Sequence, residues 1–211
     1  MLLAKRILLL GAHTDDGEWG CGASIHKWVM QGSHVTYVAF SAAEESVRAD
    51  FPRDILRTEI FQGAALLGIL KEHVRVLNFP VRHFPQHRQE ILETLVLLRS
   101  ELEPDLVMVH ASTDTHQDHE TLSKETFRAF KKTSILGYEL PHNCRISAPS
   151  YFNVIDQSDV DAKINALNAY KSQAWRTGDL VPILQGLAAM RGSQINVQFA
   201  EAFEVMRWVE K

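Results

Sequence analysis

Cysteine is almost missing from this 211-residue chain. Only Cys21 and Cys144 occur, too few for a disulfide framework and not placed as a C-x-x-C pair. Reduced thiols are expected, with Cys21, between Gly20 and Gly22, a small packing residue rather than a thiolate ligand. There is no cationic excess either. The 22 Lys and Arg stand against 26 Asp and Glu, a net charge of −4, which leaves no basic stripe for nucleic acid. No apolar run reaches the roughly 18 residues of a membrane span. Lys5 and Arg6 interrupt the N-terminal apolar patch, and no signal-peptide pattern follows. A cytoplasmic protein is expected. Repeats, low-complexity tracts and linkers are also lacking, so residues 1–211 read as one domain. A nucleotide-binding G-x-G-x-x-G turn does not occur where the first strand runs into Gly11-Ala12-His13.

Present instead is a regular alternation of elements. Short aliphatic runs at Ile7–Leu10, Val35–Phe40, Val74–Phe79 and Leu106–Val109 predict strands. Between them lie helical spacings: Ile25, Trp28 and Val29 within Ser24–Met30; Ile55, Leu56 and Ile60; and Ile91, Leu92 and Leu95. This predicts an α/β fold, a Rossmann-like three-layer sandwich with a mostly parallel sheet. In the last third, residues 141–149 predict a loop overhanging the sheet, carrying His142 and flanked by Tyr138. Tyr151–Ile155 predicts a strand, Ser158–Asp161 a capping box opening a helix, Leu180–Met190 a helix and Phe199–Val209 a closing strand.

Two polar clusters fall at strand ends, where such sheets bind ligands. One is His13-Thr14-Asp15-Asp16; the other is His116-Gln117-Asp118-His119. Each alone reads as a capping or structural turn. Together they offer imidazoles and carboxylates for one divalent ion with a position left for water. His116 and His119, at i and i+3 of a helix start, would share a face, one as ligand and one spare. A carboxylate could take the proton of the bound water. A charged imidazole could stabilise an oxyanion or protonate a leaving amine, and Asp118 could orient that imidazole, His116. These are the parts for amide hydrolysis, although two His and a carboxylate also suit non-haem iron.

The clusters resemble the PIG-L/LmbE family of metal-dependent N-deacetylases. The family's A-H-P-D-D-E motif is matched by Ala12-His13-Thr14-Asp15-Asp16-Gly17, with Thr for Pro and Gly for Glu, and Glu18 one place later. Its H-x-D-H motif is matched by His116-Gln117-Asp118-His119, and looser likeness extends to Leu56–Glu59, Pro104–Val107 and Tyr170–Gln173. The resemblance implies zinc, or alternatively Fe2+, on His13, Asp16 and His119. It implies Asp15 as general base, His116 as the charged acid or oxyanion stabiliser, and an N-acetylglucosamine-type substrate. Arg57 and Arg82 are weak candidates for substrate contacts, as are Glu44 and Glu45; Trp19 reads as packing. The alternatives are an amidase for a non-sugar metabolite or a non-catalytic metal- or sugar-binding protein. A homo-oligomer is compatible with such a sheet.

Overall fold

The structure, a computed structural model, describes residues 4–210. Its centre is a seven-stranded sheet in the order β3-β2-β1-β4-β5-β7-β6. The strands are β1 (Arg6–Gly11), β2 (His34–Ala39), β3 (Val74–Val76), β4 (Leu106–His110), β5 (Ser134–Tyr138), β6 (Tyr151–Ile155) and β7 (Phe199–Arg207). The first five run parallel; β7 pairs antiparallel with both β5 and β6. Strand β1 has an aliphatic side chain at every position from Ile7 to Leu10 because both of its faces are covered. Ile7 and Leu9 join one apolar cluster and Leu8 and Leu10 the other.

Helices α1 (Asp16–Met30), α2 (Ile55–Leu66), α3 (Arg88–Leu102), α4 (Gln117–Ala129), α5 (Gln157–Asn168), α6 (Ala174–Thr177) and α7 (Leu180–Ser193) surround the sheet. Among the described residues, no helix is long and apolar enough to cross a membrane.

Several elements differ from the sequence expectation. The first helix begins at Asp16 rather than Ser24. Its glycines are sites of close approach, not turns: a Cβ on Gly17 would lie 2.8 Å from Leu9 Cδ2, and one on Gly20 2.0 Å from Tyr138 Cδ2. The helix kinks at Cys21 (φ −149°, ψ 20°), a buried residue whose thiol meets the Gly17 carbonyl. The kink frees the N–H groups of Ala23 and Ser24, and the Glu201 carboxylate of β7 accepts both. The capping box of α5 is built by Asp156 and Asp159, two residues before the expected start. Strand β5 was not expected at all. The closing segment is a strand lying between β5 and β6.

Strand order reverses direction at β1, which has β2 on one side and β4 on the other. The loops leaving β1 and β4 therefore diverge and leave a crevice at their carboxyl ends. His13–Asp16 lies on the first loop, and residues 111–119 lie on the second.

Candidate metal centre

The two strand-end loops bring three donor groups together. His13 Nδ1 lies 3.2 Å from His119 Nε2 and 3.5 Å from Asp16 Oδ2, and His119 Nε2 lies 3.6 Å from Asp16 Oδ1. A tetrahedral zinc site with bonds of about 2.0–2.1 Å has donor–donor edges of roughly 3.4 Å, close to each of these pairs, with Asp16 facing the two imidazoles through different oxygens. Among the described residues, the trios whose ligand atoms all lie within 4.8 Å of one another are His13, His116 and His119, and Asp16, His110 and His119.

Several imidazole and carboxylate groups crowd this corner, and ring orientation separates the imidazoles. An imidazole lone pair lies in the ring plane, so two rings stacked face to face cannot both aim at one ion about 2 Å away. His110 stacks on His119 at 3.8 Å and 15°, and His116 stacks on its other side at 4.4 Å and 24°. His13 meets His119 at 5.1 Å and 53°, which lets their nitrogens converge.

Neighbouring carboxylates set the tautomers. Asp114 Oδ2 accepts from His119 Nδ1 at 2.9 Å, leaving the Nε2 lone pair for the crevice. Asp118 Oδ2 lies 3.1 Å from His13 Nε2, leaving Nδ1 for the crevice. The same carboxylate accepts the backbone N–H groups of Arg82 (2.6 Å) and Phe84 (3.2 Å). Arg82 adopts φ 71°, a left-handed conformation unusual for a side-chain-bearing residue, to aim that N–H. Asp118 thus orients His13, not His116 as expected. The reason is positional: it sits in the first turn of α4, facing the β3–α3 connection.

His116 is the N-cap of α4, and its Nδ1 accepts the Asp118 N–H at 3.2 Å. That assignment puts the ring proton on Nε2. Burial, followed by the charge on His13, holds the His116 pKa below its ordinary value. In this arrangement His116 is a neutral imidazole with its ring proton on Nε2, not the charged group expected.

Burial opposes charge on His13, but Asp16 and Asp118 overcome it and raise this imidazole to about 10. Burial likewise opposes ionised Asp16, yet His119, His110 and His13 hold it well below the carboxylate range. His119 is pushed down to about 4 by burial and then by His110. The corner thus holds one positive charge, on His13, between the carboxylates of Asp16 and Asp118. Asp15 stands at the N-cap of α1 without a capping bond, and burial followed by Asp16 raises it to about 6.

His110, Asp114 and the Glu18 network were missed from sequence. His110 Nε2 lies 3.2 Å from both the Ala12 N–H and Asp16 Oδ2, and 3.1 Å from Tyr138 Oη. A signal was available: His110, Asp114, His116, Asp118 and His119 are all metal-capable residues within ten positions. Tyr138 is a buried residue of β5 that donates to the Leu10 carbonyl, not a residue of the overhanging loop. That loop does exist. Asp114 and Cys144 form a β-bridge, Thr115 donates to Asn143, and His142 reaches Trp19 at 6.0 Å.

Beside the metal corner lies a cavity of about 230 Å³ lined by Ser41, Glu44, Arg57, Asn78 and Pro80, among others. Arg57 spans it, donating to Glu44 (2.8 Å) and Asn78 Oδ1 (2.5 Å). Glu45, also in its lining, meets the guanidinium of Arg82 at 3.4 Å. Both arginines are thus brought near the site, Arg57 in the cavity wall and Arg82 beside it.

A sheet of this order, with imidazoles and carboxylates converging at its switch point, puts a candidate metal centre where such sheets bind ligands. A family profile for PIG-L, the GlcNAc-PI de-N-acetylases, matches residues 8–130, and the chain belongs to that family. Metal dependence is general for it. A curated relative from Escherichia coli (strain K12), the uncharacterized deacetylase YaiS, is 26% identical over 175 residues, covering 80% of this chain and 91% of its own. The N,N'-diacetylchitobiose deacetylase of Pyrococcus horikoshii shares the fold with a TM-score of 0.79 and 24% identity, over 96% of this chain and 84% of that one. So does GalB, the 4-carboxy-2-hydroxymuconate hydratase of Pseudomonas putida KT2440, with a TM-score of 0.78 and 21% identity over 98% of each chain.

Proposed function

We propose that this deacetylase removes the acetyl group from an N-acetylated amino sugar of the N-acetylglucosamine type, with zinc held by His13, Asp16 and His119. Because the same fold also carries a hydratase, the reading rests on the site and not on the fold. The observation that carries it is the convergence of His13 Nδ1, His119 Nε2 and the Asp16 carboxylate within 3.2–3.6 Å.

Zinc, when bound, supplies an acidified water and a polarised carbonyl. The remaining work falls to the chain. Asp15, whose side chain makes no capping bond to α1, takes the proton of the attacking water and passes it to the departing amine nitrogen. Water and amide thereby become acetate and free amine. The neutral His116 donates from Nε2 to the oxygen on which negative charge develops. Asp118 and Asp114 keep His13 and His119 in their tautomers, so both are positioning residues. The 230 Å³ cavity has the volume and polar lining for a sugar ring, with Arg57 and Asn78 placed for its hydroxyls. Arg82 contributes through its backbone, while its side chain stays with Glu45.

The test is a screen of N-acetylglucosamine derivatives for free amine, beside elemental analysis of the purified protein. Asp15→Ala should lose amine release while retaining stoichiometric metal; undiminished turnover removes the general-base role.

A further inference from the structure

His110, the last residue of β4, is fully buried, and the catalytic reading gives it no task. Its contacts follow from the way the sheet fans open at the crevice. The β1–β4 ladder ends at the pair Leu9–Met108, so Ala12 lies past the last residue that β4 pairs. The His110 side chain takes over there: Nε2 accepts the Ala12 N–H at 3.2 Å. The face of the ring covers His119, with centroids 3.8 Å apart and planes 15° from parallel. Two contacts hold the residue in place. Tyr138 Oη lies 3.1 Å from Nε2, and the His110 carbonyl accepts from Ser123 Oγ of α4 at 2.8 Å.

One ring atom is left unsatisfied. His110 Nδ1 is buried without a hydrogen-bond partner among the described residues, and the Asp114 carboxylate is 3.9 Å away. An unpaired buried polar atom works against folding, and a phenyl ring would fill the space without it. Core packing therefore does not explain an imidazole here; what its nitrogen and its face touch does. His110 does not ligate beside His119, because parallel rings cannot both aim at one ion. It touches instead the settings of all three proposed donors. These are the backbone just ahead of His13, the Asp16 Oδ2 at 3.2 Å and the ring of His119.

We propose that His110 is a positioning residue of the metal centre. Through Nε2 it fixes the loop that carries His13, and through its ring face it fixes the plane of His119, so that the two imidazole donors meet at the spacing one divalent cation needs. The proposal rests on the reading of this corner as a metal centre. Asp114 and Asp118 set the tautomers of the two imidazoles; His110 sets the backbone of one loop against the ring of the other.

Two variants separate the two contacts. His110→Phe keeps a flat ring against His119 and deletes the acceptor, whereas His110→Gln keeps an acceptor at similar reach and deletes the ring. Zinc affinity is measured on the full-length protein by competition with a chromophoric chelator. Each variant should bind zinc about 10–100-fold more weakly than the wild type, with the same stoichiometry at saturation. Cobalt(II) loaded into the same site reads its geometry. The d–d absorption should shift in both variants, which a loss of fold stability alone would not cause. In the metal-free wild type, a scalar coupling across the hydrogen bond between Ala12 N and His110 Nε2 should be detected by NMR, and this measurement needs no variant to fold. Wild-type zinc affinity and an unshifted cobalt spectrum in both variants overturn the proposal, as does an absent coupling. Loss of all zinc binding in a folded His110→Phe makes the residue a ligand and overturns it too. A wild-type protein that binds neither ion removes the metal-centre reading itself, and the proposal with it.

Discussion

Glu18 offers a prediction that can be worked through from the structure. The side chain is fully buried, with Tyr37 Oη 3.0 Å from one carboxyl oxygen and Tyr170 Oη 2.9 Å from the other. Both phenols also lie within 2.8 Å of the Thr14 carbonyl. These oxygen–oxygen contacts need more protons than two hydroxyls can supply, and a protonated Glu18 adds one. Burial raises this carboxyl from 4.5 to about 8, against the two tyrosine hydrogen bonds, so it is largely neutral at pH 7. A folded-state pKa above the unfolded value gives stability that is complete below pH 4.5 and is lost as the pH rises through about 8. The ceiling on that loss is roughly 5 kcal/mol. Glu18→Gln keeps the shape and an N–H donor but cannot ionise. Urea unfolding of both proteins, run with a chelator from pH 5 to pH 9, isolates the effect, because other groups titrate alike in the two. Glu18→Gln should gain on the wild type steadily with pH, by several kcal/mol at the alkaline end. A difference that does not change with pH refutes a neutral Glu18.

Other outcomes follow from the same geometry. Asp118→Ala should weaken metal binding by about 10–100-fold in chelator competition, since His13 loses its orienting carboxylate. His119→Ala should leave purified protein without stoichiometric metal; full occupancy counts against the ligand set. Asp15 must be ionised to accept a proton, so kcat/KM for amine release should fall as the pH drops through about 6, and a flat profile from pH 4 to 7 argues for another base. Gly20→Ala puts a methyl against the Tyr138 ring and should destabilise the fold by about 1–3 kcal/mol or more, read by denaturant unfolding.

The strands at 7–10, 35–40 and 106–109 were legible because a short aliphatic run between polar residues suits a strand buried on both faces and little else. The two polar clusters were legible because they recur at the same end of the sheet. What escaped was set by tertiary contact. The start of α1 hides behind Gly17, Gly20 and Gly22, which read as a loop until Leu9 and Tyr138 are seen pressed against them. His110 completes the buried pattern of β4 and gives no hint that it stacks on His119. Asp118 lies beside His116 in sequence yet turns toward His13, more than a hundred positions away. Its partner depends on where β1 and β4 sit side by side, which no local pattern encodes. Strand β5 was lost because Ser134–Tyr138 is short and contains Gly137, whose missing side chain makes room for the Ala111 backbone.

The groups proposed for bond breaking depend from the ends of β1 and β4, whereas the cavity wall is furnished by residues that follow β2 and β3. Mutational drift in the second pair of loops can therefore retune which molecule is accepted without disturbing the apparatus that attacks it. The joint between these territories is the carboxylate of residue 118, gripping two amides of the outer segment and one imidazole of the inner. Divergence within this architecture should accordingly be widest around positions 41–45 and 78–81 and narrowest at that joint.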